Sequence, residues 1–192
     1  ERAHAAFPDG VIDDVNYDGS IRAFLFLLNN DCCTSIDKSR AFLSDLTGGK
    51  LNISKGMISR LNREFALKTE PERRSAYADM LLSPVMHTDC TNARENGKSC
   101  QVYVCATPDG KALYFARENM HNHLLFLHDI RVPATNNEAE RLLRNYKRKQ
   151  AQAVTFRSFE SIDYLCQCMS MLVLMRLEDP ANIYDRVSRI FG

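Results

Sequence analysis

"SCQVYVCATPDGKALYFARE", residues 99–118, is where the period of this chain changes. Two runs rich in Val, Tyr, Leu and Phe flank a Pro-Asp-Gly turn, and that combination reads as a β-hairpin. Just before it, "SPVMHTDC" at 83–90 is a short apolar run with Asp89 at its end, which makes a third strand. Most of the remaining sequence follows helical spacing, so the class is α/β: one small sheet between helices.

Toward the N-terminus, residues 8–20 are rich in turn formers and read as a loop. "IRAFLFLLNN" at 21–30 is apolar around most of its circumference and suggests a buried helix. "TSIDKSRAFLSDLTGG" at 34–49 places Ile36, Phe42, Leu43 and Leu46 on one face, with Gly48-Gly49 as its stop. Ser54 then suits an N-cap for a helix carrying Met57, Ile58, Leu61 and Phe65 on one stripe. Helix, Gly-containing turn, helix is the outline of a helix-turn-helix, and Lys55, Arg60 and Arg63 on its second helix are candidates to meet DNA phosphates. The plainer alternative is a pair of bundle helices with a solvated charged face. Thr69, Pro71 and Glu72 form a capping-box start for a further helix, which Pro84 ends.

After the hairpin, "MHNHLLFLHDIRVPATNN" at 120–137 reads as a short apolar helix or strand and a Pro-containing loop. A helix starts at Asn136 or Asn137 and runs to residue 150. Residues 156–178 form a long helix with a wide apolar face, and 179–191 a last helix with Asp179 as cap and Pro180 at its first position. Three regions follow: 1–82 helical, 83–150 holding the sheet, and 151–192 as helices packed on that core.

The totals restrict what the molecule does. With 192 residues, 45% hydrophobic and 26% charged, the chain buries a real core. Its net charge of +1 means that attraction to nucleic acid must come from local clustering. The seven cysteines (Cys32, Cys33, Cys90, Cys100, Cys105, Cys166 and Cys168) include no Cys-x-x-Cys pair, which argues for reduced thiols over a disulfide framework or a zinc knuckle. The apolar stretch 165–175 is too short to span a bilayer, so no membrane partner is expected. Beginning at Glu1 without methionine, the chain reads as a fragment or a processed product.

Two carboxylates stand out. Asp89 closes an apolar strand, where burial of a carboxylate is costly unless it is paired or binds a metal. Glu140 starts a helix that turns basic at once: Arg141, Arg144, Lys147, Arg148, Lys149 and Arg157 follow with no acidic residue among them. Arg141, Arg144 and Arg148 are three to four apart and share a helix face, a local phosphate-binding stripe. The structural alternatives are that Glu140 is the N3 partner of Asn137 in a helix cap and that Asp89 caps a turn. His121, His123 and His128 cluster in the sequence, and His87 stands two residues before Asp89 on the same side of its strand.

Together, "LSDLTGGKLNISKGMISRLNREF", "PVMHTDCT", "VYVCATPDGKALYFARE" and "FLHDIRVPATNNEAERLLRNYKRKQ" resemble the insertion-sequence-66 family of transposases, over most of the chain from about residue 16. The resemblance implies an RNase H-like α/β core, here a partial one of a β-hairpin plus the preceding strand, flanked by N-terminal and C-terminal helices. It implies metal-dependent phosphodiester cleavage and strand transfer. Asp89 matches the family's first catalytic aspartate and Glu140 its final glutamate, both as ligands in a two-metal site for Mg²⁺ or Mn²⁺. The neighbouring cations Arg141, Arg144, Lys147, Arg148 and Lys149 would hold the DNA of the element's ends, in a bacterial cytoplasm, with self-association an open alternative.

One departure matters. Family members place a strand with a second catalytic aspartate, then a mostly helical insertion, ahead of "HDIRVP". Here 17 residues, 119–135, separate Glu118 from Asn136, too few for a strand and its crossover helix. The expectation is therefore a transposase with an incomplete carboxylate set, inactive in strand transfer. The alternatives are a catalytically dead remnant that still binds DNA and a small interaction module that does not.

Overall fold

A computed structural model describes residues 17–117, 137–152, 156 and 158–192. Among them run four helices, a three-stranded sheet and three more helices: α1 (Gly19–Asn30), α2 (Ile36–Leu46), α3 (Lys55–Lys68), α4 (Glu70–Leu81), β1 (His87–Glu95), β2 (Lys98–Ala106), β3 (Ala112–Arg117), α5 (Asn137–Gln152), α6 (Phe159–Glu178) and α7 (Ile183–Phe191). The mixed α/β class expected from the change of period holds. The segment 120–136, with His121, His123, His128 and Asp129, lies outside the described residues, as do residues 1–16.

Local chemistry explains most helix ends. Ser54 Oγ accepts the Met57 amide at 3.1 Å, the N-cap expected for α3. α2 stops in a Schellman arrangement: Gly49 N–H reaches Ser44 O at 2.8 Å and Gly48 N–H reaches Asp45 O at 3.2 Å. Both glycines have positive φ, which side chains with a Cβ resist. Two expected starts are different. Thr69 makes no side-chain cap for α4, because its hydroxyl donates back to Phe65 O at 2.8 Å and closes α3. α7 begins at Ile183, while Asp179 ends α6 and accepts from Ala181 N–H at 3.1 Å. Nor does α2 bury the whole face Ile36, Phe42, Leu43, Leu46: Leu43 is inside, but Phe42 and Leu46 are 52% and 65% exposed.

The sheet is antiparallel in the order β1-β2-β3. Thr107 N–H to Lys111 O at 2.9 Å closes the expected β2–β3 hairpin around Gly110. The β1–β2 turn is a second hairpin, made by Asn96 and Gly97 at positive φ. Asn-Gly is a strong two-residue hairpin signal. It carries β1 on through the polar "TNARE", so Asp89 is the third residue of that strand and not its last. The register sets Asp89 opposite Val104, and Val104 opposite Tyr114.

Two apolar cores result. One collects α1, α2, α3 and α7, with Phe26 stacked on Phe65 at 4.2 Å between ring centres and Phe191 edge-on at 5.6 Å. The other lies between one face of the sheet (Ala93, Val102, Val104, Tyr114) and α5 and α6 (Leu142, Leu143, Tyr146, Leu165). α6 joins them, with Cys168, Met171 and Met175 in the first and Ile162, Cys166 and Met169 in the second. It also covers β3: Ser170 Oγ accepts the Tyr114 amide at 2.8 Å and donates to Cys166 O at 2.8 Å. That contact satisfies a strand-edge amide which would otherwise be buried unpaired. Of the C-terminal helices, α6 packs on the sheet, while α7 returns to α1 and α3. Gly19 is needed at that return, since a Cβ there would stand 2.2 Å from Ser188 O.

Candidate nucleic-acid interface and carboxylate pair

Strand parity decides where Asp89 points. His87, Asp89, Thr91 and Ala93 alternate onto one face, and Ala93 is fully buried beneath the helices. Asp89 is therefore on the helix-covered face of an edge strand, half-buried, with its Oδ1 accepting the Cys90 amide at 2.8 Å. α5 crosses this face. Its buried side, Ala139, Leu142, Leu143 and Tyr146, has the spacing of a helix stripe, and Tyr114 donates its hydroxyl to Leu142 O at 2.9 Å. At its far end, Gln150 Nε2 donates to Asn92 O of β1 at 3.2 Å.

The first turn of α5 carries the acids. Glu140 is exposed and stands 3.9 Å from Arg144. Asn137 is already helical, so it does not cap the helix with Glu140 as its N3 partner. Glu138 is the more enclosed acid. Arg141 chelates it with Nε and Nη2, and this pairing, helped by the nearby His87, holds its carboxyl below the ordinary value. The spacing of "NEAER" offers both acids equally. Only the sheet's position decides that Glu138 is the one beside β1.

Asp89 and Glu140 are hard oxygen donors of the kind Mg²⁺ takes. Among the described residues no group of three or more His, Cys, Asp or Glu side chains is placed to hold a metal ion. Asp89 accepts the Cys90 amide, while Glu140 lies on the exposed side of α5 against Arg144.

The basic stripe divides into three parts. Arg141 and Arg144 pair with Glu138 and Glu140 of their own helix. Lys147 and Arg148 are exposed and make no ion pair among the described residues. Lys149 leaves the stripe: its ammonium turns inward and donates to Asn29 O at the C-terminal end of α1. Burial there pulls its pKa from 10.5 down to about 8. On α3, Lys55 pairs with Asp37 of α2 at 2.6 Å, while Arg60 and Arg63 are exposed and unpaired among the described residues. Eight residues, 47–54, connect α2 to α3, against the three or four of a helix-turn-helix.

The class these residues define is a mixed α/β protein with an antiparallel three-stranded sheet, one face of which is covered by helices. Compared with known proteins, no protein family, no curated protein and no solved structure matches the chain. No described helix is long and apolar enough to cross a membrane.

Proposed function

We propose that this chain is a DNA-binding protein of the insertion-sequence-66 transposase type, with a partial RNase H-like core and an incomplete set of catalytic carboxylates. The observation that carries the reading is the polarity of α5. Its acids, Glu138 and Glu140, occupy the first turn at the sheet, and its unpaired surface cations, Lys147 and Arg148, lie two turns further along. A phosphate backbone laid along that helix would meet cations throughout, while the acid end and Asp89 would lie by the scissile region. Arg141 and Arg144 would join the contact by exchanging their carboxylate partners for phosphate, which matches a planar guanidinium fork well.

Two carboxylates without a third bind Mg²⁺ or Mn²⁺ weakly and do not hold two metal ions for in-line displacement. DNA binding without strand transfer is the expected behaviour. A fluorescently labelled duplex, titrated at several salt concentrations in EDTA and again in Mg²⁺ or Mn²⁺, tests it. Metal-independent binding that weakens steeply with salt is the expected result. Metal-dependent nicking that disappears in Asp89→Ala would restore a working transposase. Absence of binding at any salt would remove the nucleic-acid reading altogether.

A further inference from the structure

Beside the C-terminal half of α5, a cavity of about 380 Å³ opens where α1, α2, α3, α5 and α6 converge. Its volume falls in the range of small-molecule sites. Phe26, Ile58, Leu61 and Leu165 supply apolar wall, and Asn30 and Asn62 add amides. Of the charged residues lining it, Asp37 is engaged by Lys55. The other is Lys149, whose ammonium has three donors and, among the described residues, one partner, the Asn29 carbonyl. Asn30 is 4% exposed, its Nδ2 donating to Phe26 O and Asn62 Oδ1, and its own Oδ1 is buried without a donor among the described residues.

A helix cap accounts for one N–H of Lys149. It does not account for a charge withdrawn from water, in an apolar-walled cavity, with no carboxylate beside it among the described residues. An enclosed cation is ordinarily paired, because desolvation without a counter-charge costs several kcal/mol.

We propose that this cavity is a binding site for a small organic carboxylate with an apolar body, with Lys149 as its counter-charge. The carboxylate would take the two free N–H donors of the ammonium, and the body would displace water from the wall formed by Phe26, Ile58 and Leu165. The site is separate from the surface cations of α5, so it stands or falls independently of the DNA reading.

The probe is benzoate, titrated into the ¹⁵N-labelled chain and followed by the amide signals of residues 29–31 and by the thermal midpoint. Saturable binding is expected, with benzamide, the neutral isostere, at least about tenfold weaker. Lys149→Gln should lose at least about tenfold in affinity and Lys149→Arg should recover part of it. Lys147→Gln with Arg148→Gln should leave benzoate binding unchanged. If Lys149→Gln fails to fold, Ile36→Phe decides, since it narrows the cavity and keeps the charge, and it should abolish binding. Equal binding of benzamide, undiminished binding in Lys149→Gln or Ile36→Phe, or no saturation by the wild type would each overturn the proposal.

Discussion

α3 and α5 carry the same formal charge, +3: four cations and one acid on α3, five cations and two acids on α5. As strings they are equivalent basic amphipathic helices, and each keeps two exposed cations free of ion pairs among the described residues: Arg60 and Arg63 on one, Lys147 and Arg148 on the other. Their acids differ. Glu64 stands in the body of α3, where it engages Lys68 and reaches across to Arg22 of α1, so it ties the helix into its bundle. The acids of α5 are gathered in its first turn, where Glu138 lies near His87 of β1. Net charge does not distinguish the two helices. The order of charges along the axis, and what lies at each end, does.

The largest effect expected is on the buried face of α3. Phe65 is enclosed between Phe26 and Phe191, and Phe65→Ala should lower stability by about 3–5 kcal/mol in chemical denaturation, through lost burial and a residual cavity. A loss under about 1 kcal/mol would mean that the helical core is not packed as described.

Next is Lys149 on α5. Its folded pKa of about 8 is below the ordinary 10.5, so the unfolded chain holds more protons between those two values. The burial penalty is complete below pH 8 and fades as pH rises toward 10.5. Lys149→Met should therefore stabilise the protein at pH 7 by about 1–3 kcal/mol, and its advantage over the wild type should shrink steadily above pH 8. An advantage independent of pH would disprove this account.

The binding comparison comes third. Lys147→Gln with Arg148→Gln should weaken DNA binding about tenfold or more and reduce the logarithmic salt slope by about two. Arg60→Gln with Arg63→Gln should change neither. If the α3 pair has the larger effect, the roles of the two helices are reversed.

Tyr146 on α5 is fully buried, its hydroxyl has no hydrogen-bond partner among the described residues, and burial raises its pKa. Tyr146→Phe should be neutral or gain up to about 1 kcal/mol, since it removes an unsatisfied group at little cost in volume. A loss above about 1 kcal/mol would reveal a hydrogen-bond partner for that hydroxyl. Smallest of all, Lys55→Gln breaks an exposed pair with Asp37 and should shift stability by less than about 0.5 kcal/mol, falling further in salt.

Local chemistry was well legible. The Ser54 cap, the Gly48-Gly49 stop, the hairpin around Gly110 and the long apolar α6 all depend on residues near one another in the chain, so a short window contains their cause. Asn96-Gly97 was equally local, but the polar strand in front of it hides the signal: β1 buries little besides Ala93 and so lacks the apolar alternation that marks a strand. The competing hydrogen bonds were not legible. Thr69 both ends α3 and precedes α4, and its one hydroxyl proton goes back to Phe65 O.

By itself, then, the sequence determined the α/β class, the order of elements, the segregation of acid and base along α5, and Asp89 and Glu140 as the carboxylates to consider. Such features follow from nearest-neighbour sterics, capping and hydrophobic period, which act over a few residues. Tertiary structure alone decided that Glu138 is the acid nearer β1, that α6 spans two cores, and that Lys149 leaves a basic stripe for a cavity beside α1. Those outcomes depend on which surfaces are removed from water together, and desolvation is a property of the assembled fold, not of any segment of the chain.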